Sequence, residues 1–191
     1  MKLSLIAALL ILFCGCKSGQ QDTSVQKQEP VQEEVKENTN FFPVTSFILG
    51  QISEIKTKGI NPIKLNGKDT VWLKIEELEK EMDEFLHPVI DTANMKSYFT
   101  ETKFLDQTVD AYTFIYEPKA ELPDSINVER WMVYVDPQKN SVRRIFIQKN
   151  ANGKKGYLTW EAGKSCKMSF VSADASGNPK VEKETLINWD Y

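Results

Sequence analysis

Histidine and cysteine are scarce in this chain of 191 residues, which has one histidine, His87, and three cysteines, Cys14, Cys16 and Cys166. A single imidazole excludes any metal centre that needs two, and it leaves one candidate base for a Ser-His or Cys-His pair. Cys14 and Cys16 lie in or beside the apolar start of the chain, so Cys166 stands alone in the remainder and has no partner for an internal disulfide. An excess of basic charge is also missing: 24 basic residues face 27 acidic ones, for a net charge of −3. Nucleic-acid binding needs a concentrated basic surface, so that class of partner is set aside. The apolar run Leu3–Phe13 is about half of the roughly 20 residues that a membrane-spanning helix requires. No phosphate-binding glycine loop, dinucleotide fingerprint or solenoid-length repeat is present in the sequence.

What is present begins at the N-terminus. Lys2 precedes the Leu3–Phe13 run, which only Ser4 interrupts, and small Gly15 stands just before Cys16. This is the layout of a secretion signal. The segment Phe13-Cys14-Gly15-Cys16 resembles the lipobox of bacterial lipoproteins, in which a small residue precedes a cysteine that receives diacylglycerol through its sulfur. The resemblance covers the first sixteen residues and departs from the family at Phe13, where an aliphatic residue is usual. It implies cleavage after Gly15 and lipid attachment at Cys16. Cys14 suits that role less well because bulky Phe13 precedes it. Loss of Lys2 with the leader makes the mature chain one charge more acidic. A single acyl chain anchors a protein marginally, whereas two or more, at about 0.8 kcal/mol per buried methylene, hold it for long periods. Lys17, in place of the aspartate associated with inner-membrane retention, implies the outer membrane. The short signal and Lys17 are similar to lipoproteins of the Bacteroidota, in which lysine followed directly by acidic residues favours surface display. Here Ser18–Gln21 intervenes before Asp22, so the expected location is the periplasmic face.

The organisation that follows is residues 1–15 as signal, 16–40 as lipidated cysteine and tether, and 41–191 as one globular domain. Between Lys17 and Asn40 the only aliphatic residues are Val25, Val31 and Val35, too few to bury a core. A flexible segment of that length reaches roughly 25 to 30 Å, which clears the lipid headgroups.

The domain reads as α+β, with N-terminal helices and a short hairpin packed on a C-terminal antiparallel meander. Pro43 suits a first helical turn; Phe47, Ile48, Gln51, Ile52 and Ile55 follow at helical spacing, and Gly59 supplies a stop. Asn66-Gly67 between short apolar segments predicts a type I′ hairpin. From Lys74 to His87 the spacing of Ile75, Leu78, Met82, Phe85 and Leu86 predicts one amphipathic helix, with Glu76 and Lys80 paired along its outer face and Pro88 closing it. Asp91 is a candidate cap for a shorter helix containing Met95 and Phe99. Beyond Thr100 the hydrophobic period changes to near two, and six strands are expected over 103–117, 127–135, 141–149, 156–161, 165–172 and 180–190. Cys166, Met168 and Phe170 alternate with Lys167 and Ser169, which points Cys166 into the core.

The chemistry-bearing residues select no reaction. His87 at a helix end suits a cation complementing terminal carbonyls, and Cys166 suits a small core residue better than a nucleophile paired with His87. Glu76, Glu77, Glu79, Glu81, Asp83 and Glu84 read as one solvated helix face. Trp72, Trp131, Trp160 and Trp189, with Tyr112, Tyr116, Tyr134 and Tyr157, fit core and cross-strand packing, with a ligand groove as the other reading. Arg143 and Arg144 alternate on a strand, so they make no shared basic patch without a bulge. No catalytic residue, metal ligand or cofactor site is assigned; the one assigned site is lipid attachment at Cys16. The expected function is a membrane-anchored envelope lipoprotein with a non-enzymatic binding or assembly domain, whose partner is an envelope protein or an apolar ligand. The alternative is a periplasmic hydrolase using dispersed carboxylates.

Overall fold

The computed structural model describes residues 40–151 and 153–190. The leader, Cys16 and the tether fall outside the described residues. Helix α1 spans Val44–Thr57 and buries Val44, Ile48, Ile52 and Ile55 along one stripe. Gly59, at φ +66°, turns the chain away, and the Ile60 amide donates to the Ile55 carbonyl at 3.2 Å. Only a residue without a Cβ adopts that φ at no steric cost. Gln51 lies on the same flank, and its side-chain oxygen accepts from the Gly163 amide at 2.9 Å.

Strands β1 (Ile63–Asn66) and β2 (Asp69–Trp72) form the expected hairpin, but its loop is Gly67-Lys68. Asn66 is still paired, with Asp69, and Gly67 takes φ +62° at the first loop position. A leading glycine is the type II′ arrangement, in place of the type I′ turn expected for Asn66-Gly67.

Lys74–His87 departs from the single helix predicted. A 3-10 turn at Ile75–Glu77 leads into α2 (Leu78–Glu81) and then α3 (Asp83–Leu86), separated at Met82 with φ −106° and ψ 11°. The inward face survives the break, since Leu78, Met82, Phe85 and Leu86 are all buried. Like charges at i,i+4, Glu77 with Glu81 and Glu79 with Asp83, weaken a continuous helix here. The partners that form are tertiary: Glu79 pairs with Lys56 of α1 and Glu81 with Lys64 of β1, instead of Glu76 pairing with Lys80. Helix α4 (Thr92–Met95) carries the cap expected, with the Asp91 carboxylate accepting from the Asn94 amide at 2.8 Å, but it ends before Phe99, which instead opens a strand by pairing with Pro118.

Seven further strands follow: β3 (Phe99–Asp106), β4 (Ala111–Pro118), β5 (Val128–Asp136), β6 (Ser141–Ala151), β7 (Lys154–Glu161), β8 (Ser165–Ala173) and β9 (Pro179–Asn188). The long strand predicted over 103–117 is in fact a hairpin, β3–β4, paired from Phe99 with Pro118 to Asp106 with Ala111. Its turn lacks glycine and proline. The Asp106 carboxylate makes it by accepting from the Thr108 amide at 2.9 Å and the Thr108 hydroxyl at 2.6 Å, while Asp110 takes φ +47°. All neighbours are antiparallel in one nine-stranded sheet of order β2-β1-β9-β8-β7-β6-β5-β4-β3. The N-terminal hairpin thus extends the sheet edge to edge, through β1 on β9.

The architecture is α+β, with helices preceding a meander and packed on one of its faces. Two aromatic groups centre the interface. Tyr116 stacks on Trp131 at 4.5 Å between ring centroids, with Phe99 and Phe41 edge-on to the pair. Phe85 of α3 meets Trp160 edge-on at 5.4 Å, and Trp160 packs on Trp189 at 5.1 Å. Such pairs contribute about 0.5 to 1.5 kcal/mol beyond the burial of their area. Gly156 makes room for the Phe170 ring of the neighbouring strand, which lies 3.2 Å from where a Cβ would stand.

One cation sits in this core. Lys149 of β6 is 3% exposed, and its ammonium donates to the Glu84 and His87 carbonyls and lies 3.3 Å from the Glu84 carboxylate. Burial lowers its pKa, and Glu84 partly offsets that effect.

Candidate functional site

Cys16, the assigned lipid site, lies outside the described residues. His87 and Cys166 are placed apart. Cys166 is buried between Trp160 and Ile187 on the helix-covered face, and burial pushes its thiol pKa up, away from the thiolate that a nucleophile needs. His87 is exposed and its Nδ1 bonds the Asp83 carboxylate at 2.8 Å. The role expected for His87 at the helix end belongs to Lys149, whose ammonium binds the Glu84 and His87 carbonyls from 65 and 62 residues away in the chain. No local pattern announces that contact.

The aromatic residues divide. Trp131, Trp160, Trp189 and Tyr116 are core residues, as packing predicts. Tyr134 and Tyr157 are half-buried on the sheet face away from the helices, where Tyr157 faces Phe146 at 6.3 Å. Trp72 and Tyr112 are exposed, the former at 63%, near opposite ends of the strand order.

Two surface features have the geometry of sites. The first is the β3–β4 hairpin, where Phe104, Leu105, Val109 and Tyr112 are all large apolar residues left 39 to 48% exposed. Leu105 and Tyr112 are cross-strand partners on one face, while Phe104 opposes Thr113 on the other. β3 is an edge strand of eight residues, so its outer backbone groups lack a neighbouring strand among the described residues. Edges of this kind template pairing with a further strand.

The second feature is a pocket of about 520 Å³ at the hairpin end of strands β3 to β8, lined in part by Tyr134, Lys139, Arg143, Arg144, Glu161 and Lys164. A bulge creates its basic lining. Tyr134 pairs with Arg144 and the next residue, Val135, pairs with Val142, which leaves Arg143 as the extra residue. The alternation that would separate the two arginines is therefore interrupted, and both line the same pocket. Arg143 donates to the Val109 and Asp110 carbonyls at 3.2 and 2.9 Å. Arg144 pairs with Glu161 at 3.0 Å and lies 6.0 Å from the centre of the Tyr134 ring. Asp136, also in the lining, accepts from the Lys139 and Gln138 amides, and these bonds hold its carboxyl below the usual carboxylate range.

No protein-family model matches the chain, and no curated protein or solved structure is significantly similar to it. Among the described residues no helix is long and apolar enough to cross a membrane, and no group of three or more His, Cys, Asp or Glu side chains is arranged to hold a metal ion.

Proposed function

We propose that this chain is an envelope lipoprotein, lipidated at Cys16 in the outer membrane and facing the periplasm, whose α+β domain binds a protein partner. The lipobox-like segment supports the anchor, and the acidic balance argues against nucleic acid. The observation that carries the binding role is the β3–β4 hairpin, an edge strand with exposed Phe104, Leu105, Val109 and Tyr112 at its tip. Main-chain hydrogen bonds along such an edge give affinity, and alternate side chains give selectivity. A hydrolase working through dispersed carboxylates is the second reading. It would draw on Asp136 and Glu161, which share a pocket, with Asp136 as the base and Glu161 as the acid, but the ion pair with Arg144 engages Glu161 as a charged acceptor, whereas an acid must carry a proton to donate.

The test is cross-linking of the native lipidated protein in its own envelope, with Phe104→Ser and Leu105→Lys beside the parent. A cross-linked species that both substitutions abolish, at unchanged thermal stability, supports the reading. Equal cross-linking in parent and variants removes the hairpin as the binding element.

A further inference from the structure

We propose that the pocket at the hairpin end of the sheet binds a phosphate monoester, held among the side chains of Lys139, Arg143, Arg144 and Lys164. These four cations and the carboxylates of Asp136 and Glu161 leave a local excess of two positive charges, in a chain whose overall charge is −3. A phosphate monoester carries about −1.5 to −2 at neutral pH and three strong acceptor oxygens, which matches that excess.

The two guanidiniums are already placed. Arg143 is held by two backbone carbonyls of the β3–β4 turn, and the half-exposed Arg144 is oriented beside it by Glu161 and the Tyr134 ring. A planar guanidinium held this way loses little freedom on meeting an anion and presents paired donors to it. Two backbone amides hold the Asp136 carboxylate in place, and its charge also acts on Lys139 and Arg143, so the ligand binds against one fixed negative charge that the net excess of two already counts. No salt bridge holds Lys139 or Lys164 among the described residues; Lys139 is attracted to Asp136 at longer range, and its ammonium exchanges that attraction for the ligand. The volume of about 520 Å³ exceeds a bare phosphate and falls within the range of small-molecule sites. The group esterified to the phosphate therefore has room for a sugar or a glycerol. Two sources share this chemistry, a soluble phosphate ester and a phospholipid headgroup.

The experiment is calorimetric titration of the full chain in a neutral detergent, with sodium chloride at matched ionic strength as the control for screening. One arm uses inorganic phosphate and the other dihexanoyl phosphatidic acid, a short-chain lipid with the same phosphate. Saturable binding of either supports the site. Equal affinities assign it to soluble esters, and lipid binding tighter by tenfold or more assigns it to headgroups. Arg144→Gln should weaken binding about tenfold or more, as expected for loss of a charge-assisted hydrogen bond. Lys139→Gln combined with Lys164→Gln should weaken it similarly while leaving the melting temperature in chloride unchanged. No saturable heat in either arm up to about 10 mM, well above a millimolar dissociation constant, overturns the proposal. So does binding by the substituted proteins that equals the parent's.

Discussion

Replacing Lys149 by methionine tests how the helical layer is joined to the sheet. The ammonium of this nearly inaccessible side chain donates to the Glu84 and His87 carbonyls and lies 3.3 Å from the Glu84 carboxylate. Methionine keeps the length and bulk of the chain and removes every donor. If both partners of a buried ionic contact became apolar, the change would be near neutral, because the desolvation penalty would disappear with the attraction. Here the two carbonyls remain and lose their donor. A polar group left unsatisfied in the interior costs about 1 to 3 kcal/mol, and removal of the ammonium's own desolvation offsets part of the sum. The Glu84 carboxylate contributes less, because it is 49% exposed and screened by water. The expected loss for Lys149→Met is about 2 to 4 kcal/mol, against less than about 1 kcal/mol for Glu84→Gln. Urea unfolding followed by tryptophan fluorescence reads this directly, since Trp131 and Trp160 are fully buried. A Lys149→Met protein within about 0.5 kcal/mol of the parent would refute the reasoning, by showing that other donors satisfy the two carbonyls.

Phe85→Ala should cost about 3 to 5 kcal/mol in the same assay, because the ring is buried against Trp160 and its loss leaves a cavity between α3 and the sheet. Unfolding indistinguishable from the parent would show that this contact does not hold the layers. Cys166→Ala gives a prediction with pH: burial raises the thiol pKa in the folded state, so the unfolded chain ionises first, near pH 9. The thiol's contribution is complete below that pH and is lost as pH rises, so the stability gap between parent and Cys166→Ala should shrink from pH 8 to about 10.5. A constant gap would contradict the raised pKa. Tyr116, whose pKa burial also raises, predicts a further loss above its ordinary value of 10.0 in both proteins. Cys16→Ala should abolish incorporation of labelled fatty acid and release the chain from membranes; continued labelling would move the anchor elsewhere.

Short-range patterns determined much of this fold before any tertiary contact is considered. The apolar stripe and glycine stop of α1, the Asp91 cap of α4, the period-two alternation that buries Cys166, and the inward face of Leu78, Met82 and Phe85 each depend on residues a few positions apart. The α+β class follows from the order of those periods along the chain. Other features depend on register between distant segments. The β1 to β9 pairing joins residues more than a hundred positions apart, and nothing in the segment Ile63–Asn66 names its partner. The turn at 107–110 rests on an aspartate side chain in place of glycine or proline, so a continuous strand fits the same residues until the pairing is known. The binding features share this dependence. Arg143 and Arg144 meet in one pocket because a bulge breaks alternation at a place set by how β5 and β6 are aligned, and Lys149 reaches the carbonyls of α3 because β6 runs beneath it. A side chain's own sequence neighbourhood carries no record of such contacts, since their free energy arises only when the two segments have already packed.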